Sequence, residues 1–541
     1  MKSFRLKHHS IDSTSYFSNL IKDYLNEEAH LSPYITDFPS LDAIGNQLEK
    51  KHFSEVARMN LYNRLVAQYE GIAISDSVKL NMEKLQWHNT YTVCTAHQPS
   101  VFTGYLYFIY KIAHTIRLAY SCKQQYPDFE FVPIFYIGSE DNDVDEIGSF
   151  HYDGQLFRWA TTQTGPCGRM STTDMNGLFD EYASYFNTSV KSEQDLLSLF
   201  SKAYRSNKSL ADACRVVVNE LFGNWGIVIV DADDSVLKSS FSTVILDELL
   251  HERVSQVSAE TLAFLSSEYH IQASPREINL FYIQEGMRER IERSGDKWHV
   301  VNTSISFTKQ ELEEEVRMHP DRFSPNVMLR PLYQESILPN LAFVGGGGEL
   351  AYWMQQKCIF DYYQVAFPLL LLRNSIQWIP ARISNKMNKY EWGIDDIFEH
   401  IDLALRKRMN TQDAAKQFAN LYDEYADLAS RLVALLGTIS EPMKQSGEAH
   451  IKKMESIWQR LDTKLIASLK RKDADLVQVL TSIKSALFPS NSLQERKENL
   501  LFLYKQVGAS PIDFLVNHIE CFGKDILVFI EEESENDEKE A

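Results

Sequence analysis

The chain has 541 residues, of which 44% are hydrophobic and 24% are charged, a composition typical of globular proteins that at this length have about three or four domains. Its formal net charge of −19 argues against a nucleic-acid partner, because phosphate binding requires a basic surface. The six cysteines lack the spacing of zinc ligands, and no apolar run approaches the roughly 20 residues that cross a membrane. We therefore expect a cytoplasmic protein with reduced thiols, no metal site, no signal peptide and no membrane partner.

The order of the predicted strands and helices indicates the fold class. It is α/β, with a Rossmann-like parallel sheet core split by two inserted modules and with a C-terminal antiparallel helical coiled-coil hairpin. The predicted segments are N-terminal helices with the first half of the core (1–149), a first inserted module (150–207), a core strand and helix (208–237), a second inserted module (238–326), the last part of the core (327–385), the helical coiled-coil arm (386–490), and C-terminal helices with an acidic tail (491–541).

A predicted strand, a polar loop and a helix begin the core. The β-prone run 91–94 ends at a turn that carries His97 and Gln98, and an amphipathic helix starts near Gly104. Ligands bind at the carboxyl ends of strands in open α/β sheets, and the free N–H groups of a helix start suit a phosphate or carboxylate. We expect that role for Thr103 and Gly104, and we expect His97 to titrate near neutral pH. The alternative is an ordinary strand-to-helix connection with a solvated histidine.

An acidic cluster follows the next predicted strand. The apolar run 131–138 is typical of a strand covered on both faces, and five carboxylates follow it within the seven residues 140–146. Those carboxylates would repel one another unless they were solvated or bound a cation or a polar ligand. Because the two strand ends should be adjacent, we predict a site that combines His97 with Glu140, Asp141 and Asp143.

A run of four glycines, 345–348, lies between an apolar strand and an amphipathic helix. Glycines allow backbone to approach a ligand closely, so we expect Gly346 and Gly347 to contact substrate. Glu349 follows in the first helical turn with Tyr352 and Trp353, and its carboxylate could neutralise the α-amine of an amino acid. The alternative is that Glu349 only stabilises the start of the helix.

Two cations are candidates for binding a carboxylate or phosphate. Tyr107 and Lys111 lie on roughly one face of the first core helix, and Arg373 follows the last predicted core strand. An arginine at a strand end can clamp a carboxylate through two hydrogen bonds. The alternative for Lys111 is an ordinary surface lysine.

The C-terminal third carries heptad patterns. Apolar residues from Phe418 to Leu435 are spaced by three and four residues, and after a break at 437–447 the pattern resumes from Ile451 to Leu487. This predicts two long helices joined as an antiparallel hairpin. We expect the arm to mediate a homodimer, and the alternative is that the helices pack on the main body.

Several motifs resemble one family, in order along most of the chain. They are the pattern Q-P-x-x-F-T-G at 98–104, V-P-I-F-Y-I-G-S-E-D at 132–141, R-P-L-Y-Q at 330–334, the glycine-rich block at 338–353, and L-Q-E-R at 493–496. The chain resembles the cysteine-adding enzymes of bacillithiol biosynthesis. It departs from them where the family usually has Gly-Gln-Gln and this chain has Ala96, His97 and Gln98, and where the family usually has His and this chain has Asn142.

The resemblance implies an amide-forming ligase. It implies addition of L-cysteine to the amine of glucosaminyl-malate to form bacillithiol, with ATP as the suspected co-substrate through an activated carboxyl intermediate. Together with the strand-end reasoning, it makes His97, Glu140 and Asp141 the candidate catalytic residues. The candidate substrate-binding residues are Gln98, Thr103, Gly104, Tyr107, Lys111, Asp143, Gln334, Gly346, Gly347, Glu349, Tyr352, Trp353 and Arg373.

Two other functions fit the sequence. One is a nucleotidylyltransferase or aminoacyl-transfer enzyme on a fold like that of the class I aminoacyl-tRNA synthetases, which the acidic net charge disfavours in its tRNA-binding form. The other is a non-catalytic coiled-coil scaffold, which predicts no small-molecule ligand and no effect of changing His97 or Glu349.

Overall fold

The computed structural model describes residues 2–205, 209–408, 413–472 and 474–532. The chain forms two compact units: one comprises Met1–Trp378 and Ser492–Ala541, and the other comprises Ile379–Asn491. The predicted acidic tail lies almost wholly beyond residue 532 and so outside the described residues. In the part of the chain that is described, no helix is both long enough and apolar enough to cross a membrane.

The strands belong to three sheets and one hairpin. In chain order they are β1 (Phe4–Ser10), β2 (Thr90–His97), β3 (Glu130–Ile137), β4 (Ser149–Tyr152), β5 (Gln155–Arg158), β6 (Val228–Asp231), β7 (Leu280–Gln284), β8 (Met287–Ser294), β9 (Lys297–Val300), β10 (Ser306–Thr308), β11 (Phe323–Pro325), β12 (Asn340–Gly345), β13 (Leu369–Leu372), β14 (Ile376–Ile379) and β15 (Asp525–Glu531).

The helices cover these sheets and form the arm. They are α1 (Asn19–Leu25), α2 (Leu41–Lys50), α3 (Glu55–Gln68), α4 (Asp76–Lys84), α5 (Leu106–Gln125), α6 (Val144–Ile147), α7 (Asn176–Ala183), α8 (Lys191–Tyr204), α9 (Leu210–Phe222), α10 (Ser235–Ser239), α11 (Ser242–His251), α12 (Arg253–Glu268), α13 (Lys309–Met318), α14 (Arg330–Ile337), α15 (Gly347–Tyr363), α16 (Ala381–Lys389), α17 (Ile394–Phe398), α18 (Ile401–Arg408), α19 (Asp413–Ile439), α20 (Glu441–Lys472), α21 (Ala474–Leu487), α22 (Leu500–Val507) and α23 (Pro511–His518).

The core is a five-stranded parallel sheet in the order β13-β12-β2-β3-β6. Its strands are buried nearly throughout, as their continuous apolar runs predict for a sheet covered on both faces. The predicted Rossmann-like α/β fold is confirmed. Because β3 and β12 pair with opposite edges of β2, the strand order reverses there and opens a crevice at the carboxyl ends of β2 and β12.

Two stretches of chain interrupt the core. After β3 the chain forms the hairpin β4–β5 and the helices α7 and α8. After β6 it forms α11 to α13 and an antiparallel sheet in the order β10-β9-β8-β7-β11. The core sheet therefore takes its strands from three separate stretches of sequence.

The two ends of the described chain pair with each other. The antiparallel ladder of β1 with β15 runs from Phe4 opposite Glu531 to Ser10 opposite Asp525. The prediction named only helices at the two termini, so the strands β1 and β15 correct it. The run 526–530 is apolar and rich in β-branched residues, and all five of its residues are buried.

The second unit contains the predicted helical hairpin. The rings of Phe418 and Tyr425 on α19 lie 5.1 and 5.6 Å from that of Trp458 on α20. Later in α19, Leu436 lies next to Gly447, which is earlier in α20, so the two helices are antiparallel. The break predicted at 437–447 is too wide. Helix α19 ends at Ile439 and α20 starts at Glu441, because a proline at the second position of a helix, here Pro442, is well tolerated.

Candidate active site

A cleft of about 640 Å³ opens at the carboxyl edge of the core sheet, at the point where the strand order reverses. Residues after β2, β3, β6, β12 and β13 line it, together with residues of the second interruption and of the C-terminal segment. The predicted site residues that line the cleft are His97, Gln98, Tyr107, Lys111, Glu140, Asp141, Gly346, Gly347, Glu349, Tyr352 and Arg373.

The start of α5 is not the anion site that the sequence predicts. Helix α5 begins at Leu106 rather than near Gly104, and the N–H groups of Thr103 and Gly104 donate to the carbonyls of Ser100 and Val101. The N–H of Leu106 donates to Glu498 O. Neither Thr103 nor Gly104 is among the residues that line the cleft. The loop satisfies its own donors, so the expectation that they face a ligand is wrong.

Three other predicted residues are not part of the cleft lining. The Asp143 carboxylate accepts the Glu146 N–H and caps the short helix α6. Gln334 is buried and accepts a hydrogen bond from Arg330. Trp353 is buried, with its ring stacked 4.4 Å from that of Phe343. Helical spacing turns Trp353 toward the sheet, while Tyr352 faces the cleft.

His97 is the last residue of β2 rather than a loop residue. Its Nδ1–H donates to Gln98 O at 2.9 Å, because a carbonyl can only accept. The other nitrogen, Nε2, is therefore the acceptor of the neutral ring. Burial, reinforced by the Lys111 ammonium, lowers the pKa of His97 to about 4. The expectation that this histidine titrates near neutral pH is wrong, and it is a neutral group in the cleft.

Lys111 and Glu349 form an ion pair across the cleft floor. Lys111 Nζ lies 2.6 Å from Glu349 Oε2 and also donates to Ala96 O at 2.6 Å. Burial lowers the pKa of Lys111. Burial alone would raise the pKa of Glu349, but the Lys111 ammonium and the Gly346 N–H outweigh it and lower that pKa. The two side chains are therefore each other's direct partner in the cleft.

The acidic side of the cleft follows β3. The Glu140 carboxylate is paired with the buried ammonium of Lys238 and accepts from Ser324 Oγ at 3.0 Å. Burial raises the pKa of Glu140, although Lys238 opposes the shift. Asp141 accepts from Gln98 Nε2 at 3.1 Å. Of these two acids, Asp141 forms no direct ion pair with a described residue, although the Arg288 guanidinium interacts with it electrostatically.

Arg373 is held by a residue far away in the sequence. Arg373 is 4% exposed, and its guanidinium makes two hydrogen bonds, of 2.8 and 2.7 Å, to the buried carboxylate of Glu495. Glu495 lies in a single short turn, Gln494–Arg496. Its carboxylate is a planar acceptor of the kind that pairs with an arginine through two hydrogen bonds.

Several cleft residues were not among the predicted site residues. Ser139, Asp233, Arg276, Arg288, Arg330 and Arg496 also line it. Asp233 belongs to the acids that follow β6, so its position after a core strand was a usable signal. Arg276 and Arg288 come from the second interruption, whose sequence gives no indication of the core edge that it covers.

Gly168 allows a loop to close against the cleft. The Gly168 N–H donates to Ser139 O at 2.8 Å, and a Cβ at Gly168 would lie 2.3 Å from Ser139 Cβ. The next residue, Arg169, makes two 2.6 Å hydrogen bonds to Asp233. Within the described part of the chain, no group of three or more His, Cys, Asp or Glu side chains is placed to hold a metal ion.

Comparisons with known families agree with this architecture. Residues 5–374 match the family described as "Bacillithiol biosynthesis BshC, N-terminal Rossmann-like domain". Residues 376–530 match "Bacillithiol biosynthesis BshC, C-terminal coiled-coil domain". The chain belongs to the BshC family.

Relatives of this family cover nearly the whole chain. A protein of Flavobacterium johnsoniae is 38% identical over 94% of this chain and 97% of its own length. One of Christiangramia forsetii is 37% identical over 94% and 96%, and one of Cytophaga hutchinsonii is 33% identical over 97% of each. All three carry the name "Putative cysteine ligase BshC". The sequence-based recognition of the family is therefore confirmed.

The cleft of this BshC chain combines three kinds of group. A neutral imidazole offers a lone pair at Nε2 of His97, the carboxylate of Asp141 can receive a cation, and arginine side chains can receive anions. Such a set suits a zwitterionic or multiply charged small molecule rather than an apolar one.

Proposed function

We propose that the protein is a ligase that adds L-cysteine to the amine of glucosaminyl-malate to form bacillithiol, with ATP as the co-substrate. The observation that carries this proposal is the polar cleft at the crevice of a BshC-family core, with acids, arginines and a neutral histidine in its lining. The relatives with the same two domains bear a cysteine-ligase name. We also propose a cytoplasmic location, where its six unpaired cysteines would stay reduced.

An amide forms from a carboxylate only after one carboxylate oxygen has become a leaving group. In the proposed route, the cysteine carboxylate attacks a phosphoryl group of ATP, and pyrophosphate or ADP leaves. The amine nitrogen of glucosaminyl-malate then attacks the acyl carbon. The bond between the acyl carbon and the oxygen that carries the phosphorus breaks, so that AMP or phosphate leaves. The amine proton passes to a base. A cleft that holds the activated cysteine and the amine together makes their reaction effectively unimolecular, which lowers the entropic part of the barrier.

The proposed roles follow from the charge state of each group. His97 Nε2 makes no hydrogen bond to a described residue and carries a lone pair, so we assign it as the acceptor of the amine proton. We assign Asp141 as the anchor of a substrate ammonium, because it lines the cleft and forms no direct ion pair with a described residue. Glu140 supports that side of the cleft through its pair with Lys238.

The test is incubation of the purified protein with L-cysteine, glucosaminyl-malate and ATP, with each omitted in turn. The expected product has the mass of the amide and appears only in the complete mixture. AMP as the nucleotide product indicates an acyl adenylate, and ADP indicates an acyl phosphate. D141N should lower the rate at least tenfold, while D145N, the same change on an exposed acid outside the cleft lining, should not. No amide in the complete mixture, with binding of labelled tRNA at moderate salt, would favour the aminoacyl-transfer alternative.

We further propose that the arm forms a homodimer. On α19, Leu428, Leu432 and Leu435 are 61%, 46% and 60% exposed, and Met454 and Leu461 on α20 are 43% and 47% exposed. These side chains are members of the heptad pattern, yet the intramolecular pairing of α19 with α20 leaves them half exposed. An apolar stripe of this kind is stabilised by a second copy, since both copies present the same surface.

A further inference from the structure

The glycine run places an unoccupied set of hydrogen-bond donors in the cleft. Helix α15 has 17 residues and starts at Gly347, so the N–H groups of its first turn have no partner within the helix. The N–H of Gly346 donates to Glu349 Oε2. Those of Gly347 and Gly348 donate to none of the described residues, and both glycines line the cleft. A helix start of this kind carries partial positive charge.

Arg373 provides a second, independent observation, because one of its buried nitrogens lacks a hydrogen-bond acceptor. Glu495 occupies both terminal nitrogens of its guanidinium, but Nε, although buried, has no hydrogen-bond partner. A Cβ built on Gly346 would lie 3.8 Å from this nitrogen, which places Nε beside the start of α15. A buried cationic N–H without an acceptor is strongly unfavourable, so a ligand atom that accepts a hydrogen bond is expected next to it.

Arg496 adds a positive charge at the same cleft. It follows Glu495 directly, and its guanidinium makes no hydrogen bond or ion pair with the described residues. Arg496 interacts electrostatically with Tyr107. The guanidinium carbon of Arg373 lies 5.6 Å from the centre of the same Tyr107 ring. Glu495 therefore has two effects: it orients Arg373 and fixes the segment that carries Arg496.

We infer that the start of α15, Arg373 Nε and Arg496 form an oxyanion subsite of the cleft, which receives a carboxylate or phosphate group of a substrate. This deepens the ligase proposed above and depends on it for the source of the oxyanion. The source is either the malate moiety, whose carboxylates are planar acceptors, or the polyphosphate of ATP. In this arrangement Glu495 is a positioning residue, since it touches Arg373 and not the ligand.

The test is calorimetric titration of the full-length protein with L-malate and, separately, with pyrophosphate, at constant ionic strength. R496A removes the exposed guanidinium. G346A adds a methyl group beside Arg373 Nε without backbone strain, since residue 346 has φ −80° and ψ 168°, which alanine adopts freely. R276A is the matched control, because it removes the same charge from another exposed arginine of the cleft.

At least one probe should bind the wild-type protein. R496A and G346A should each weaken that binding roughly ten- to a hundredfold, and R276A less than about threefold. Binding of L-malate alone assigns the subsite to the malate moiety, and binding of pyrophosphate alone assigns it to the nucleotide. The inference is overturned if neither probe binds, or if R276A weakens binding as much as R496A does, because the effect would then be diffuse charge.

The inference and the ligase proposal fail separately. If the wild-type protein forms the amide and both R496A and G346A form it with unchanged KM values for glucosaminyl-malate and ATP, the subsite is wrong and the ligase proposal stands. If probe binding depends on Arg496 and Gly346 as expected but the complete mixture gives no amide, the subsite stands and the ligase proposal fails. Denaturation curves of the two variants that coincide with the wild type show that the binding losses are local.

Discussion

The Nζ of Lys111 on α5 and the Oε2 of Glu349 on α15 lie 2.6 Å apart, and this contact joins the helices that follow two neighbouring core strands. Sequence reasoning assigned these residues to opposite ends of a substrate, the lysine to a carboxylate and the glutamate to an amine. In the structure each is the partner of the other. Their pairing therefore helps to hold the cleft in shape, and both side chains remain in its lining.

Loss of Lys111 should destabilise the fold. K111M leaves Glu349 partly buried without its cation and should lower the free energy of unfolding by about 3 kcal/mol, measured by urea denaturation. The double variant K111M/E349L should recover most of that loss, because no lone charge remains. Strictly additive losses from K111M and E349L would show that the two side chains do not interact.

Breaking the pair of Arg373 and Glu495 should have a larger effect. Both side chains are at most 5% exposed, so E495A strands a buried guanidinium and should cost about 3–5 kcal/mol of unfolding free energy. The control is D195A, which removes one partner of the exposed pair of Lys191 and Asp195 and should cost less than about 1 kcal/mol. Equal losses in the two variants would contradict the buried pair.

His97 should make stability depend on pH. Its pKa is about 4 in the folded protein against 6.5 ordinarily, so between these values the unfolded chain binds a proton that the folded chain does not. The stabilising contribution is complete above about pH 6.5 and is lost as the pH falls toward 4. Wild-type protein should lose about 1–3 kcal/mol more than H97N across this window, by urea denaturation at each pH. A His97 ring that titrates near pH 6.5 in NMR spectra would refute this.

The arm stripe should control the oligomeric state. L428E/L432E places two charges in an apolar interface and should convert a dimer into a monomer, as measured by light scattering. A426E/S430E adds the same charge to the opposite flank of α19, at two exposed positions, and should remain dimeric. If the wild-type protein is a monomer, or if the leucine variant keeps the dimer mass, the stripe does not mediate association.

The sequence predicted the core well because its signals are local. Continuous apolar runs gave the strands β2, β3, β6 and β12, and their polar ends gave part of the cleft lining. What failed were statements that depend on long-range partners. The donors at Thr103 and Gly104 are satisfied by neighbours in the folded loop, and Glu495 meets Arg373 across 122 positions of sequence. No pattern within a short window reports such a pairing.

The heptad pattern shows the same limit in the arm. It predicted the hairpin correctly, but it did not separate the side chains that join α19 to α20 from those left exposed. Ala429 is 6% exposed and Leu428 is 61% exposed, although they are neighbours in sequence. Successive residues of an α-helix are about 100° apart around its axis, so two neighbours can lie on different faces. Which face is covered depends on how the two helices pair.

The chain leaves the first unit at Trp378 and re-enters it at Ser492, and these points lie close together in space. The N–H of Trp378 donates to Gln494 Oε1 at 2.8 Å, and Gln494 Nε2 donates back to Trp378 O at 3.1 Å. The arm is thus an insertion with adjacent ends rather than an appendage. A short glycine–serine linker in place of 379–491 should yield a self-contained catalytic body. During synthesis, by contrast, the sheet of this body cannot be completed until the whole arm has been made, because strand β15 follows the arm in the chain and pairs with β1.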